Sequence, residues 1–198
     1  MAISYLNISS FRNHTKKNLS FNRGVTVIFG ENGSGKTSIL EAIYLLSMGK
    51  SFKTNRQKEM IQKGKDKTVI NGSFLRDDNI NKIDIMIDLR QKKRIKVNGK
   101  EILKRNELIG NNNVVVLSPE EQKITKDSNK QRRVFFDKLF SITSKDYLKT
   151  LQEYNKVLKQ RNAVLKNNIN SHAFSRKIEP WNNIIIQKGL TLWEKRYK

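Results

Sequence analysis

Eight consecutive residues, Gly30-Glu-Asn-Gly-Ser-Gly-Lys36-Thr37, have the types and spacing to hold a chain of phosphates. They satisfy the pattern G-x-x-x-x-G-K-[ST] at every fixed position. Glycines at 30, 33 and 35 let backbone N–H groups turn toward an anion without side-chain collision. A helix starting near Lys36 would aim its unpaired N–H groups and the positive end of its dipole at the same point. Lys36 supplies a point charge for β- and γ-phosphates, and Thr37 a hydroxyl for Mg²⁺. The candidate ATP-binding set is therefore Gly30, Glu31, Asn32, Gly33, Ser34, Gly35, Lys36, Thr37 and Ser38. A chance match to the pattern in a chain this long is on the order of one in a hundred.

The flanks must position that loop. Val25 to Phe29 is a short apolar run, the signature of a buried strand. Ile39, Leu40, Ile43 and Leu46 then recur at helical spacing. Strand, glycine loop and helix follow in order. Before them, Ala2 to Ile8 reads as a strand, Phe11-Arg12-Asn13-His14 breaks it, and Leu19 and Phe21 mark a second strand.

Beyond the helix, Gly49 to Arg56 is basic and aperiodic, a connector or a surface near nucleotide or DNA, with a short helix expected at Lys58 to Gln62. Thr68 to Leu75 and Lys82 to Leu89 read as two strands. Asn98-Gly99 between Arg94–Val97 and Lys100–Leu103 is a strong hairpin signal, because both turn positions need positive φ. Residues 68–103 thus form an antiparallel β-layer. Asn113 to Leu117 reads as another buried strand, and Ser118-Pro119-Glu120-Glu121 as a capped helix start. Phe135 and Phe136 are expected in a core.

From Asp146 to about Asn168, Tyr147, Leu151, Tyr154, Leu158 and Leu165 outline a long amphipathic helix whose seam Arg161 interrupts. A second helix is expected after Pro180, the two packing antiparallel as an arm.

Composition sets outer bounds. With 198 residues the chain is one domain, with a second begun. It has no cysteine, which excludes disulfides and thiolate–metal sites, and its two histidines, His14 and His172, form no ligand cluster. No stretch approaches the length of a membrane span, and the N-terminus has no secretory signal, so a cytoplasmic protein with no membrane partner is expected. The net charge of +22 points to a polyanion. It is discounted because Lys (28) and Asn (22) are both abundant, as an A/T-rich coding sequence would produce, and because the charge is spread along the chain.

The order of these words resembles the ABC-type ATPase heads of the SMC and RecF class, and within it the RecF family of bacterial DNA replication and repair proteins. The resemblance rests on Leu6-x-Ile8-x-x-Phe11-Arg12-Asn13, the phosphate loop running into Leu40-Glu-Ala-Ile-Tyr-Leu-Leu46, then Gly49-Lys-Ser-Phe52. It continues through Val97-Asn98-Gly99, Ser118-Pro119-Glu120, Arg132-Arg133, Asp137, Tyr147-Leu148, Leu158-Lys-Gln-Arg-Asn162, Trp181 and Gly189. The family often has Gln at the position of Ser34 and an aromatic at that of His14.

The resemblance implies an α/β fold: an ABC-ATPase-type head with a phosphate-loop α/β core and antiparallel β-layer over 1–140, then a partial helical arm over 141–198. It implies ATP and Mg²⁺ as cofactors and an ATP-dependent homodimer clamping double-stranded DNA at gaps or stalled forks. It also implies a RecR-type mediator partner, recombinase loading and the SOS response. Arg12 and Asn13 become candidate nucleotide contacts, and Gln122, beside Glu120 and Glu121, a candidate Mg²⁺ contact. The family's signature loop and acidic pair have no counterpart after Lys138, so the chain reads as the N-terminal part of a longer protein. No catalytic residue is assigned within it: the full-length family implies a weak DNA-dependent ATPase, this part alone an inactive one. The alternative is another SMC-like head with a chromosome-structural role. A phosphate-loop kinase or GTPase fits less well, since no Asn-Lys-x-Asp guanine motif is present.

Overall fold

The computed structural model describes residues 2–76, 79–90, 93–117, 129–167 and 174–197. They fall into two compact units, Met1–Leu117 and Ser118–Lys198. Ser118 to Glu121, read as a capped helix start, and Gln122 lie outside the described residues.

The first unit is built on an antiparallel sheet. Strands β1 (Ala2–Phe11), β2 (His14–Ser20), β3 (Lys67–Arg76), β4 (Asn79–Asp88), β5 (Arg94–Val97) and β6 (Lys100–Ile102) stand in the order β2-β1-β3-β4-β5-β6. The expected β-layer is thus present, and β1 joins it through β3. The hairpin at Asn98-Gly99 has the positive φ values its sequence demands, 51° and 81°. Asn98 also ties the turn to β4, its side chain accepting from the Lys82 N–H at 2.8 Å.

Period-two alternation decides the faces. Ile83, Ile85 and Ile87 are fully buried. On the opposite face a polar row crosses all six strands in register: Asn18, Asn7, Asn71, Asp84, Lys96 and Glu101. That face is solvated, as one face of an antiparallel sheet commonly is.

The apolar face is covered by helix α1 (Lys36–Met48), whose Ile39, Ala42, Leu45 and Leu46 share one core with Leu6, Ile8, Ile70, Phe74 and Ile83. Gly72 on β3 lets the helix come close, because a Cβ there would run into Leu46. The helix ends at Gly49, φ 63°, whose N–H bonds to Leu45 O at 2.8 Å. No basic residue stands in its last turn, but Lys93 donates to the Gly49 carbonyl from beyond the helix. Burial, and secondarily Arg105, lowers the pKa of Lys93 below the ordinary lysine value.

Two sequence expectations fail in the same way. Val25 to Phe29 forms no strand; Val25 is 94% and Phe29 88% exposed, while Ile28 between them packs against the core. Asn113 to Leu117 likewise forms none, with Leu117 at 89%. Both segments have strand-like composition, but a strand exists only where a neighbour accepts its backbone bonds. Among the described residues neither segment has one.

In the second unit, α2 (Asn129–Thr143) is followed by α3 (Lys145–Asn167) and α4 (Phe174–Tyr197). The last two run antiparallel, as expected: Tyr147 meets Arg196, Glu153 meets Lys188, and Arg161 meets Asn182. Arg161 does not spoil the seam, because its Nε donates to Asn182 Oδ1 at 2.6 Å and is satisfied across the hairpin. Helix α4 starts before Pro180 rather than after it. The proline forfeits one ladder bond, and packing along α3 carries the helix through it. Phe136 is exposed rather than in the core, and Phe135 is half-buried.

All three helices meet at one polar cluster. Tyr147 donates its hydroxyl proton to Asp137, while Arg196 donates to Tyr147 Oη at 2.8 Å and also to Asp137. Burial first, then the bond to Asp137, pushes the Tyr147 pKa up to about 12.

Two outcomes follow for stability. Gly72→Ala should cost about 1–3 kcal/mol through overpacking against Leu46, read as a lower denaturation midpoint. For Tyr147, the folded state favours the protonated phenol. Its contribution is complete below the ordinary tyrosine value of 10.0 and lost as pH rises through about 12. The stability of the helical unit should therefore fall across that window, and Tyr147→Phe should flatten the fall; an unchanged pH slope would contradict this.

Candidate nucleotide-binding site

The site is the N-terminal end of α1. Gly35 is the N-cap in a left-handed conformation, φ 94°, with no side-chain cap. The first intrahelical bonds run from Ser38 and Ile39 N–H to Gly35 O, at 2.9 and 3.1 Å. The N–H groups of Lys36 and Thr37 precede them and point outward from the helix end. Gly30 and Gly33 also have positive φ, 145° and 83°. Lys36 folds over the loop, its Nζ donating to Gly30 O and Glu31 O, both at 2.7 Å.

The turn between β1 and β2 buttresses the loop. Asn13 Nδ2 donates to Gly33 O at 2.8 Å, and His14 Nε2 donates to Gly35 O at 3.1 Å. The approach is so close that a Cβ on Gly35 would collide with the His14 ring and Asn13 Oδ1. Glycine at 35 is therefore required twice, by φ and by space.

Arg12, in the same turn, has φ 54°. Its guanidinium grips Glu41 of α1 with two bonds, Nε to Oε2 at 2.9 Å and Nη2 to Oε1 at 2.6 Å. Its Nη1 donates to Glu59 O at 2.6 Å.

These elements enclose a cleft of about 800 Å³. The loop and helix contribute Asn32, Gly33, Gly35, Lys36, Thr37 and Ser38; the β1–β2 turn contributes Arg12 and Asn13. The far wall is formed by Lys53, Glu59, Ile61, Gln62 and Lys63. Four cations, Arg12, Lys36, Lys53 and Lys63, thus face one acid, Glu59, which suits a polyanion. Gly30 and Ser34 line a second, smaller cavity of about 360 Å³ behind the loop, and Glu31 contributes its carbonyl to Lys36.

The far-wall residues were not assigned from the sequence, nor were His14 and Glu41. His14 carried only the signal of lying in the break between two strands. Lys53 lay in the basic connector read as a surface near nucleotide or DNA. Glu41 is an acid on the apolar side of an amphipathic helix, a signal that periodicity displays but does not interpret.

The profile of a family described as an AAA domain matches residues 5–191. The chain belongs to the AAA domain family. Within it, the likeness is to the N-terminal portion of RecF. The chain is 44% identical over 151 residues to the DNA replication and repair protein RecF of Clostridioides difficile (strain 630). That match takes in 76% of this chain and 40% of the relative. Identity is 41% over 153 residues with the protein of the same name from Clostridium acetobutylicum, covering 77% and 42%. The chain therefore spans less than half the length of these relatives. A solved structure of the recombination mediator protein RecF-ATP in the RecFOR pathway superposes with a TM-score of 0.91 at 31% identity, over 99% of this chain and 53% of that one. A structure of SMC ATPases shares the fold at a TM-score of 0.56 and 23% identity, over 70% and 99%. The α/β head and the RecF resemblance read from the motifs are borne out. Among the described residues, no helix is long and apolar enough to cross a membrane.

The two inner glycines separate strain from collision. Gly33→Ala suffers only its positive φ, since a Cβ there meets nothing within 4 Å, whereas Gly35→Ala adds the clash with His14 and Asn13. In titrations with a fluorescent ATP analogue, Gly35→Ala should lose at least about tenfold more affinity than Gly33→Ala.

Proposed function

We propose that the chain is the ATP-binding part of a RecF-like DNA replication and repair protein. The observation that carries this reading is the cleft itself: Lys36 and Thr37 at the open end of α1, beneath a glycine loop, facing further cations on the opposite wall. A triphosphate supplies the complementary charge, and helix end, loop N–H groups and Lys36 supply its contacts. The oxygen donor of Thr37 suits Mg²⁺, a hard cation that keeps several waters and takes phosphate oxygens as ligands. Among the described residues no cluster of His, Asp and Glu could hold a metal without such help.

In this reading residues 1–140 form the head and 141–198 begin an arm. ATP acts as a switch: two heads close on the nucleotide, and binding energy is linked to the interface. The closed pair clamps duplex DNA at gaps or stalled forks through sequence-independent contacts from Lys and Arg. Work with a RecR-type mediator, recombinase loading and support of the SOS response extend the same reading.

The test is nucleotide and DNA binding by the chain and by Lys36→Ala. The chain should bind an ATP analogue, and Lys36→Ala should lose at least about tenfold in affinity. Duplex binding should rise with ATP, fall steeply with salt, and lose its ATP dependence in Lys36→Ala. Equal nucleotide binding by the two proteins would overturn the ATP site; salt-insensitive duplex binding would overturn the electrostatic clamp.

A further inference from the structure

We infer that Glu41, which does not line the cleft, is a positioning residue: its carboxylate fastens Arg12 and the Ser51–Thr54 turn into one wall facing the phosphate loop. The inference rests on the nucleotide reading above and specifies how affinity at that site is set.

Glu41 is fully buried, on the stripe of α1 that carries Ile39, Ala42 and Leu45 into the core. A carboxylate buried there needs donors to offset its lost hydration. Its donors come from two different segments. Arg12 Nε and Nη2 bind its two oxygens, and the Ser51 hydroxyl donates to Oε1. Having given its proton to Glu41, Ser51 Oγ turns its lone pairs to the chain, accepting from Lys53 N–H at 2.9 Å and Thr54 N–H at 3.1 Å. One acid thus sets the direction of every bond in the group. A neutral amide at 41 would present a donor to Arg12 in either orientation, and to Ser51 as well where its nitrogen replaces Oε1.

Both branches end on the cleft. Arg12 lines it directly, and Lys53, held at its N–H by Ser51, lines it from the far wall. The third arm of Arg12, to Glu59 O, joins that wall again at the short helical turn Gln57–Met60. A charge pair serving the fold alone would need neither branch to reach the cleft.

The test uses the full chain, with binding of a fluorescent ATP analogue, thermal unfolding and amide hydrogen exchange. Glu41→Gln should bind the analogue about tenfold more weakly. Exchange at Lys53 and Thr54 should quicken while Leu45 and Leu46 in α1 stay protected. Ser51→Ala leaves the Arg12–Glu41 pair intact; it should quicken the same two amides and weaken binding by about threefold. In the double variant Arg12→Gln/Glu41→Gln the loss should be smaller than the two single losses multiplied together, since the Arg12–Glu41 pair is shared, and larger than in Arg12→Gln alone, since the Ser51 branch goes as well. Parental affinity in Glu41→Gln, whatever its unfolding temperature, overturns the inference. Should Glu41→Gln fail to fold, parental affinity and exchange in Ser51→Ala overturn it instead. Equal binding by the parent and Lys36→Ala overturns the nucleotide reading and this inference with it.

Discussion

Helix α1 lies as deep as it does because Leu46 rests against bare backbone at Gly72. That single close contact sets the height of the helix over β1, β3 and β4, and the rest of the first unit depends on the height. At its N-terminal end the same placement brings Gly35 against Asn13 and His14, so the β1–β2 turn can brace the loop through Gly33 O and Gly35 O. In its middle it sinks Glu41 out of water, where only a guanidinium and a hydroxyl at hydrogen-bond distance keep a carboxylate tolerable. At its far end it carries Gly49 to Lys93, which supplies the positive charge that the last turn of α1 lacks. A helix that must leave one end uncapped for an anion is stabilised along its side and at its other end instead.

The parts legible in the sequence were those whose physics is local. The phosphate loop, the Asn98-Gly99 turn and the alternation of Ile83, Ile85 and Ile87 are each decided within a few residues, and each formed as expected. Val25 to Phe29 was misread because strand formation belongs to a pair of segments, and composition reports only one of them. Arg12 was half legible. The family resemblance made it a candidate nucleotide contact, and it lines the cleft. That two of its hydrogen bonds go to Glu41, a residue 29 positions away, no local pattern could say. His14 was overlooked for the related reason that its partner is a backbone carbonyl, a group every residue has.

Charge in this chain is abundant, yet few of its pairs hold the fold. The ion pairs Arg56–Glu59 at 3.5 Å and Arg90–Asp66 at 3.2 Å are solvent-exposed, where screening and side-chain entropy leave little net gain. Arg12–Glu41 and Arg196–Asp137 differ in kind. Each is partly or fully withdrawn from water and joins segments distant in sequence, and a shared hydroxyl, from Ser51 in one and Tyr147 in the other, takes part in each. Removing one partner of such a group leaves the other desolvated and unpaired, a far larger cost than the pair's net worth. The two groups are thus points at which each unit resists rearrangement. In the first unit that point lies beside the cleft, so the stiffness that holds α1 to its neighbours is the same stiffness that keeps Arg12 and Lys53 in place for an anion. Stability and binding at this site draw on one network, and a substitution that loosens it should be felt in both.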